Sequence, residues 1–65
     1  MLLQSTFYGN RAACYKNLSD FKNAVADCSA ALEIDPQNWK ARLRRGYAYE
    51  GLASDGMDKY LVNAL

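Results

Sequence analysis

The chain has 65 residues, of which 51% are hydrophobic and 23% are charged, and its formal net charge is +1. This length excludes two independent domains, and this composition excludes a wholly disordered chain. The near-balance of charge excludes a general affinity for nucleic acid or for an anionic membrane surface. We therefore expect a small globular unit in which any electrostatic role depends on where individual charges lie.

The chain has two cysteines, Cys14 and Cys28, and no histidine, so it has too few ligands for a structural metal site. Both cysteines lie among apolar residues at helical spacing, which predicts reduced packing residues, with a disulfide as the alternative. Reduced cysteines favour a cytoplasmic setting. Residues 1–4 are too short and too soon polar for a signal peptide, and no apolar run approaches the roughly 20 residues of a membrane span. We expect a soluble protein that does not insert into a membrane.

The first predicted helix runs from Leu2 to Leu18. Within it Tyr8, Ala12 and Tyr15 recur at helical steps and form one apolar stripe. This pattern predicts a helix with one face directed toward a packing partner.

The second predicted helix begins after Ser19-Asp20, a pair suited to N-capping because a short side-chain oxygen accepts a free backbone N–H. Its apolar residues follow near-ideal helical spacing and are Phe21, Ala24, Val25, Cys28, Ala31 and Leu32. The helix is predicted to end at Asp35-Pro36, because the residue before a proline is disfavoured in helical geometry.

Asn38 is predicted to cap a third helix that runs from about Trp39 to Leu52. Residues 53–56 read Ala-Ser-Asp-Gly and predict a turn. A shorter fourth helix would carry the apolar residues Met57, Tyr60, Leu61, Ala64 and Leu65. With no pattern typical of a strand, the chain is predicted to be all-α, with about four antiparallel helices.

An internal repeat relates the two halves of the chain. A shift of about 34 residues superimposes positions of similar size. The matched pairs are Ala12 with Gly46, Tyr15 with Tyr49, Leu18 with Leu52, and Asn10-Arg11 with Arg44-Arg45. Past the turn the best shift is one residue shorter, and it matches Ala24 with Met57 and Cys28 with Leu61. Two helix-turn-helix copies therefore fill the chain, the first over about 5–38 and the second, truncated, over about 39–65.

At this period the sequence resembles the tetratricopeptide repeat (TPR) family. The family's series of aromatic, small and bulky positions before a proline appears as Tyr8, Ala12, Tyr15, Ala24, Cys28, Ala31 and Pro36. Small residues let two helices approach closely, and the aromatic residues fill the gaps between them. The resemblance implies repeats that stack into an α-solenoid and bind other proteins. The second copy departs from the pattern at Arg42, where an apolar or aromatic residue is usual.

In TPR arrays the first helix of each repeat lines a concave groove, and Asn10, Lys40 and Arg44 occupy groove-facing positions. Lys40 and Arg44 are neighbours on one helix face, and Asn10 lies at the matching height on the preceding first helix. One amide and two cations directed at one point suit a carboxylate. Capture of a C-terminal carboxylate is a known mode of peptide recognition.

These residues resemble the carboxylate clamp of TPR co-chaperones, which bind the Glu-Glu-Val-Asp tails of the seventy- and ninety-kilodalton heat-shock chaperones. The shared strings are Asn-Arg-Ala-Ala-x-Tyr, here at 10–15, and Lys-Ala-x-x-Arg-Arg-Gly, here at 40–46. The resemblance implies that Asn10 donates to the terminal carboxylate, that Lys40 reaches a peptide oxygen, and that Arg44 contacts a peptide side chain or carbonyl. The family clamp also uses a Lys and an Asn from a preceding repeat, so we expect weak binding by these residues alone.

The alternative for Lys40 and Arg44 is a solvated helix face without a ligand. Tyr47 faces the groove by periodicity and is predicted to line a peptide subsite, although an exposed tyrosine without a role fits equally well. Arg11 and Arg45 are expected to pack their aliphatic stems over the interior of the repeat. Trp39 is expected to pack at the junction of the repeats, and the core tyrosines are expected to be Tyr8, Tyr15 and Tyr49.

An enzyme is not expected, because the sequence lacks histidine and a nucleophile–base pair at useful spacing. The acidic residues Asp20, Asp27 and Glu33 are expected to face water. The leading hypothesis is a cytoplasmic interaction module, without a cofactor, for acidic C-terminal tails of chaperones. One alternative is a TPR scaffold without a clamp, whose open end favours association between copies. Another is the targeting module of a larger enzyme such as a TPR-bearing phosphatase, which carries a similar Tyr-Gly-Asn-Arg string, here at 8–11.

Overall fold

A computed structural model describes residues 3–54 of the chain. These residues form three helices, α1 (Leu3–Asn17), α2 (Phe21–Ile34) and α3 (Trp39–Leu52). The connections are short, so successive helices lie antiparallel and α1 and α3 run in the same direction. The all-α class and the bounds of these helices, each within one residue of the predicted end, are confirmed. The predicted fourth helix lies outside the described residues, and within them no helix is long and apolar enough to cross a membrane.

The turn between α1 and α2 is closed by two backbone hydrogen bonds of the Schellman type. The N–H of Ser19 donates to the carbonyl of Lys16 over 2.9 Å, and the N–H of Asp20 donates to the carbonyl of Tyr15 over 2.8 Å. Ser19 has a φ of 60°, a left-handed conformation that glycine adopts more readily. Asp20 then caps α2 as predicted, because its carboxylate accepts the N–H of Asn23 over 3.4 Å.

Asn38 caps α3 as predicted, and it also ties the three helices together. Its side-chain oxygen accepts the N–H of Ala41 over 3.1 Å, while its Nδ2 donates to the hydroxyl of Ser5 over 2.8 Å. The hydroxyl of Ser5 in turn donates to the carbonyl oxygen of Ala31 over 2.8 Å. Ser5 is buried, so this chain of bonds satisfies polar groups that would otherwise destabilise the interior.

The core consists of small side chains, which lets the helices approach closely. Its buried apolar members are Ala12, Ala24, Cys28, Ala31, Ala41 and Ala48. At Gly51, α3 lies against the start of α2, and an added Cβ there would lie 2.5 Å from the ring of Phe21. Only a glycine at this position leaves room for that ring.

Several predictions of burial are wrong. Cys14 is exposed, not a packing residue. Trp39 is 62% exposed, not packed at a junction, and Tyr49 is 48% exposed, not in the core. Conversely, Asp27 is buried, although we expected it to face water. Helical periodicity identifies residues that share a face, but burial also requires another element against that face.

The turn predicted from Ala53 onward is wrong at its start. Ala53 and Ser54 follow Leu52, the last residue of α3, as a wider, π-helical turn. The N–H of Ala53 is bonded to the carbonyls of Tyr49 and Glu50, and alanine is a strong helix former. Residues 55 and 56 of the predicted turn lie outside the described part of the chain.

Candidate functional site

A small cavity of about 120 Å³ opens between α1 and α3. It is lined by Thr6, Gly9, Asn10, Asn38, Lys40 and Arg44. The structure therefore brings three of the four predicted binding residues, Asn10, Lys40 and Arg44, to one place. They meet because α1 and α3 run side by side in the same direction and present equivalent positions to the space between them.

Arg44 is held in place by the backbone of α1. Its Nη1 donates a hydrogen bond to the carbonyl oxygen of Gly9 over 3.0 Å. Gly9 is buried, and an added Cβ there would lie 3.3 Å from that same nitrogen and 3.7 Å from Nδ2 of Asn38. The missing side chain of Gly9 thus makes room for the guanidinium. A guanidinium has five N–H donors, so this bond leaves others for a ligand.

Lys40 and Asn10 form the more accessible part of the cavity wall, and both are exposed. The Nζ of Lys40 lies 5.8 Å from the centroid of the Trp39 ring. An exposed cation–π contact of this kind contributes only about 0.5–1 kcal/mol. The ammonium of Lys40 is therefore free to exchange this contact for a stronger one with an anion.

The charge of the cavity is positive. Of the described residues that line it, Lys40 and Arg44 carry positive charge and none carries a carboxylate. Two cations beside an amide, without a compensating acid in the wall, create a local potential that attracts an anionic group. The arrangement is chemically suited to a carboxylate.

Tyr47 does not line this cavity. It contributes instead to a larger open groove of about 570 Å³ along α3, which is lined by Trp39, Arg42, Leu43, Gly46, Tyr47 and Glu50. Its ring also makes a cation–π contact with Lys16 of α1, whose Nζ lies 5.2 Å from the ring centroid. The peptide subsite predicted at Tyr47 stays a prediction.

Two contributions to the cavity were not predicted from the sequence. Gly9 was noted only as a member of the string at 8–11, although its carbonyl and its lack of a Cβ position Arg44. Asn38 was predicted only as a cap, although its amide also bonds Ser5 and lines the cavity. A glycine inside a helix, next to a groove-facing polar residue, was the available signal for the first.

Arg11 has a structural role at the interface between α1 and α2. Its Nε and Nη2 donate to the two carboxylate oxygens of Asp27, over 2.6 and 3.0 Å. The guanidinium also lies 5.2 to 6.0 Å from the ring centroids of Phe7, Tyr8 and Tyr15. The hydrogen bonds that Arg11 donates to Asp27 raise the pKa of Arg11 above its ordinary value. This fork explains why Asp27 is buried, because it pairs with Arg11 instead of facing water.

Arg45 and Cys28 are likewise explained by packing. The Nη1 of Arg45 reaches the hydroxyl of Ser29 over 3.4 Å. Cys28 is fully buried, and this burial raises the pKa of its thiol and keeps it neutral. Within residues 3–54 no three Cys, Asp or Glu side chains are placed to hold a metal ion.

Comparison with known proteins agrees with the repeat pattern and the helical hairpin. The tetratricopeptide repeat family matches residues 5–38, just over half of the chain. The chain therefore belongs to the tetratricopeptide repeat family, whose members are modules of protein–protein interaction.

The similar proteins are much longer than this chain. Over 48 residues it is 46% identical to mitochondrial import receptor subunit TOM70 of Homo sapiens, which covers 74% of this chain and 8% of the receptor. Over 52 residues it is 44% identical to sperm-associated antigen 1 of Homo sapiens, and the match covers 80% of this chain and 6% of that protein. Over 49 residues it is 48% identical to mitochondrial import receptor subunit TOM34 of Mus musculus, and the match covers 75% of this chain and 16% of that protein. No solved structure gave a significant match to the chain.

Proposed function

We propose that this TPR segment binds the acidic C-terminal tail of a partner protein, with the terminal carboxylate in the cavity between α1 and α3. The observation that carries the proposal is the meeting of Asn10, Lys40 and Arg44 in one cavity whose described walls contain no carboxylate. The partner class is a heat-shock chaperone with a tail of the Glu-Glu-Val-Asp type. The segment then acts as the binding module of a cytoplasmic co-chaperone and has no enzymatic activity of its own.

The chemistry of each residue supports a division of roles. Arg44, anchored by Gly9 at 3.0 Å, offers its remaining donors in a fixed direction. Lys40 is exposed and supplies a compact charge that adjusts to the ligand, and Asn10 supplies a neutral amide donor. A carboxylate has two oxygens and accepts hydrogen bonds from several donors at once, so it uses all three residues.

The similarity to two proteins named import receptor subunits also supports a receptor-like role in binding proteins. The chain spans less than a fifth of each of these relatives. We expect an affinity of about 1 mM or weaker for these 65 residues, because three donor residues provide few hydrogen bonds to offset the loss of freedom on binding.

The proposal is tested by nuclear magnetic resonance titration of the 65-residue chain with an acetylated octapeptide that ends in Glu-Glu-Val-Asp, and with its C-terminally amidated twin. The free acid is expected to bind at least about fivefold more tightly, because an amide removes the charge that the cations attract. Lys40→Gln and Arg44→Gln are each expected to abolish this preference. Lys22→Gln removes the same charge from an exposed position on α2 and is expected to preserve it.

Equal binding of the two peptides to the unaltered chain would contradict the proposal. A loss of preference in Lys22→Gln as large as in Lys40→Gln would also contradict it, because the effect would then follow from net charge and not from the cavity.

The open groove along α3 favours a second candidate function, self-association through an exposed apolar surface. Trp39, Leu43 and Tyr47, which line it, are 62%, 49% and 48% exposed. Exposed apolar surface of this kind is typical of interaction sites. Sedimentation at increasing concentration tests this candidate: a concentration-dependent increase in mass that Leu43→Lys abolishes is expected, and a constant monomer mass excludes it.

A further inference from the structure

Lys16 and Tyr47 face each other between α1 and α3, outside the cavity that holds the predicted clamp residues. The Nζ of Lys16 lies 5.2 Å from the centroid of the Tyr47 ring. Within residues 3–54, Arg11 and Asp27 form the ion pair that is closer than 4 Å. Lys16 therefore has no carboxylate of these residues within 4 Å, and its partner is the ring of Tyr47. Its ammonium group is thus available to an incoming acid.

The distance from the cavity to this pair can be spanned by a few residues of extended peptide. Tyr47 follows Arg44 by about one turn of α3, and Lys16 follows Asn10 by less than two turns of α1. At about 1.5 Å per residue, the pair is displaced by roughly 5–9 Å along the helices. An extended peptide advances about 3.3 Å per residue, so a peptide leaving the cavity in this direction passes the pair after two or three residues.

We infer that Lys16 and Tyr47 form a second recognition point, which binds an acidic side chain two or three residues before the C-terminal residue of the bound peptide. This inference rests on the proposed function, because it takes the cavity as the position of the C-terminus. In a Glu-Glu-Val-Asp tail, it assigns recognition of one of the two glutamates to Lys16 and Tyr47.

The chemistry of the pair supports this role. An ammonium over a partly exposed ring is held weakly, so Lys16 exchanges the ring for a carboxylate at little expense. The hydroxyl of Tyr47 adds a hydrogen-bond donor on the side chain that Lys16 contacts. Tyr47 is 48% exposed, so a peptide side chain reaches it without displacing the core.

The inference is tested by titrating the 65-residue chain with the Glu-Glu-Val-Asp octapeptide and with two analogues, each with one of the two glutamates replaced by glutamine. For at least one analogue the unaltered chain is expected to bind about three- to fivefold more weakly, as for a single exposed charge pair. In Lys16→Gln this difference is expected to vanish. Lys16→Arg retains the charge and is expected to restore it, and Lys22→Gln is the matched control that leaves it unchanged.

Tyr47→Phe is expected to reduce the discrimination between peptides partially, because it removes the hydroxyl and retains the ring. Circular dichroism of each variant shows whether the helices persist. If Lys16→Gln is poorly folded, Tyr47→Phe still tests the inference, because this substitution removes no charge.

The outcomes separate the inference from the proposed function. If the unaltered chain prefers the free acid over the amide but Lys16→Gln discriminates between the glutamate and glutamine peptides as the unaltered chain does, the inference is overturned and the clamp remains. If the unaltered chain has no preference for the free acid, the proposed function fails and the second recognition point fails with it.

Discussion

α1 and α3 carry equivalent positions of the repeat, yet they differ in how much of each helix is buried. Ala12 of α1 is completely buried, whereas its counterpart Gly46 is exposed and an added Cβ there would meet nothing within 4 Å. Tyr15 is half-buried, while its counterpart Tyr49 is 48% exposed. Equivalent places in a repeat therefore have different environments, since the packing partner determines burial.

The polar residues differ in the same way. Arg11 of α1 makes a two-bond fork with Asp27, with distances of 2.6 and 3.0 Å. Its counterpart Arg45 on α3 bonds Ser29 over a longer distance, 3.4 Å. The α1–α2 hairpin is thus closed by size-matched packing and a specific ion pair, and α3 retains an open face.

The largest expected effect is overpacking of the closed hairpin. Ala12→Leu adds volume at a fully buried position and is expected to lower the free energy of unfolding by about 2–3 kcal/mol. Ala26→Leu is the matched control, because Ala26 is exposed on α2, and a change within about 0.5 kcal/mol is expected there. Urea denaturation followed by circular dichroism measures both. Equal losses at the two positions would show that the hairpin interface is not closely packed.

Two glycines on α3 are expected to respond with opposite signs. In Gly51→Ala the new Cβ would lie 2.5 Å from the Phe21 ring, and the resulting strain is expected to exceed the gain in helix propensity, for a net loss of about 1–2 kcal/mol. In Gly46→Ala nothing lies within 4 Å of the new Cβ, so the propensity of alanine is expected to add about 0.5–1 kcal/mol. Thermal unfolding of the two variants measures the difference. Stabilisation by both would mean that α3 is as open at Gly51 as at Gly46.

The smallest expected effect concerns the turn that closes the hairpin. Ser19 has a φ of 60°, and Ser19→Gly is expected to stabilise the chain by about 0.5 kcal/mol, because glycine adopts this conformation with less strain. Ser19→Val, which strongly disfavours a left-handed backbone, is expected to destabilise it. Urea denaturation of both variants provides the comparison, and a stable Ser19→Val variant would contradict the proposed strain.

The parts of the fold that depend on local chemistry were predictable from the sequence. Both ends of α2 and the start of α3 follow from the caps Asp20 and Asn38 and from Pro36, because each acts on residues a few positions away. The meeting of Asn10 with Arg44 followed from the repeat, which relates positions far apart in the chain.

The parts that depend on contacts between helices were not predictable in this way. The burial of Asp27 requires Arg11 on another helix, and the anchoring of Arg44 requires the bare backbone of Gly9. The bond from Asn38 to Ser5 likewise crosses between elements. Each contact needs a specific distance between helices, which periodicity does not provide.

Backbone amide shifts during titration with the Glu-Glu-Val-Asp octapeptide test the carboxylate site most directly. The largest changes are expected at Gly9, Asn10, Lys40 and Arg44, around the cavity between α1 and α3, and they are expected to disappear with the amidated peptide. Largest changes at Gly46 and Glu50, on the open groove of α3, with both peptides equally effective, would contradict the carboxylate site.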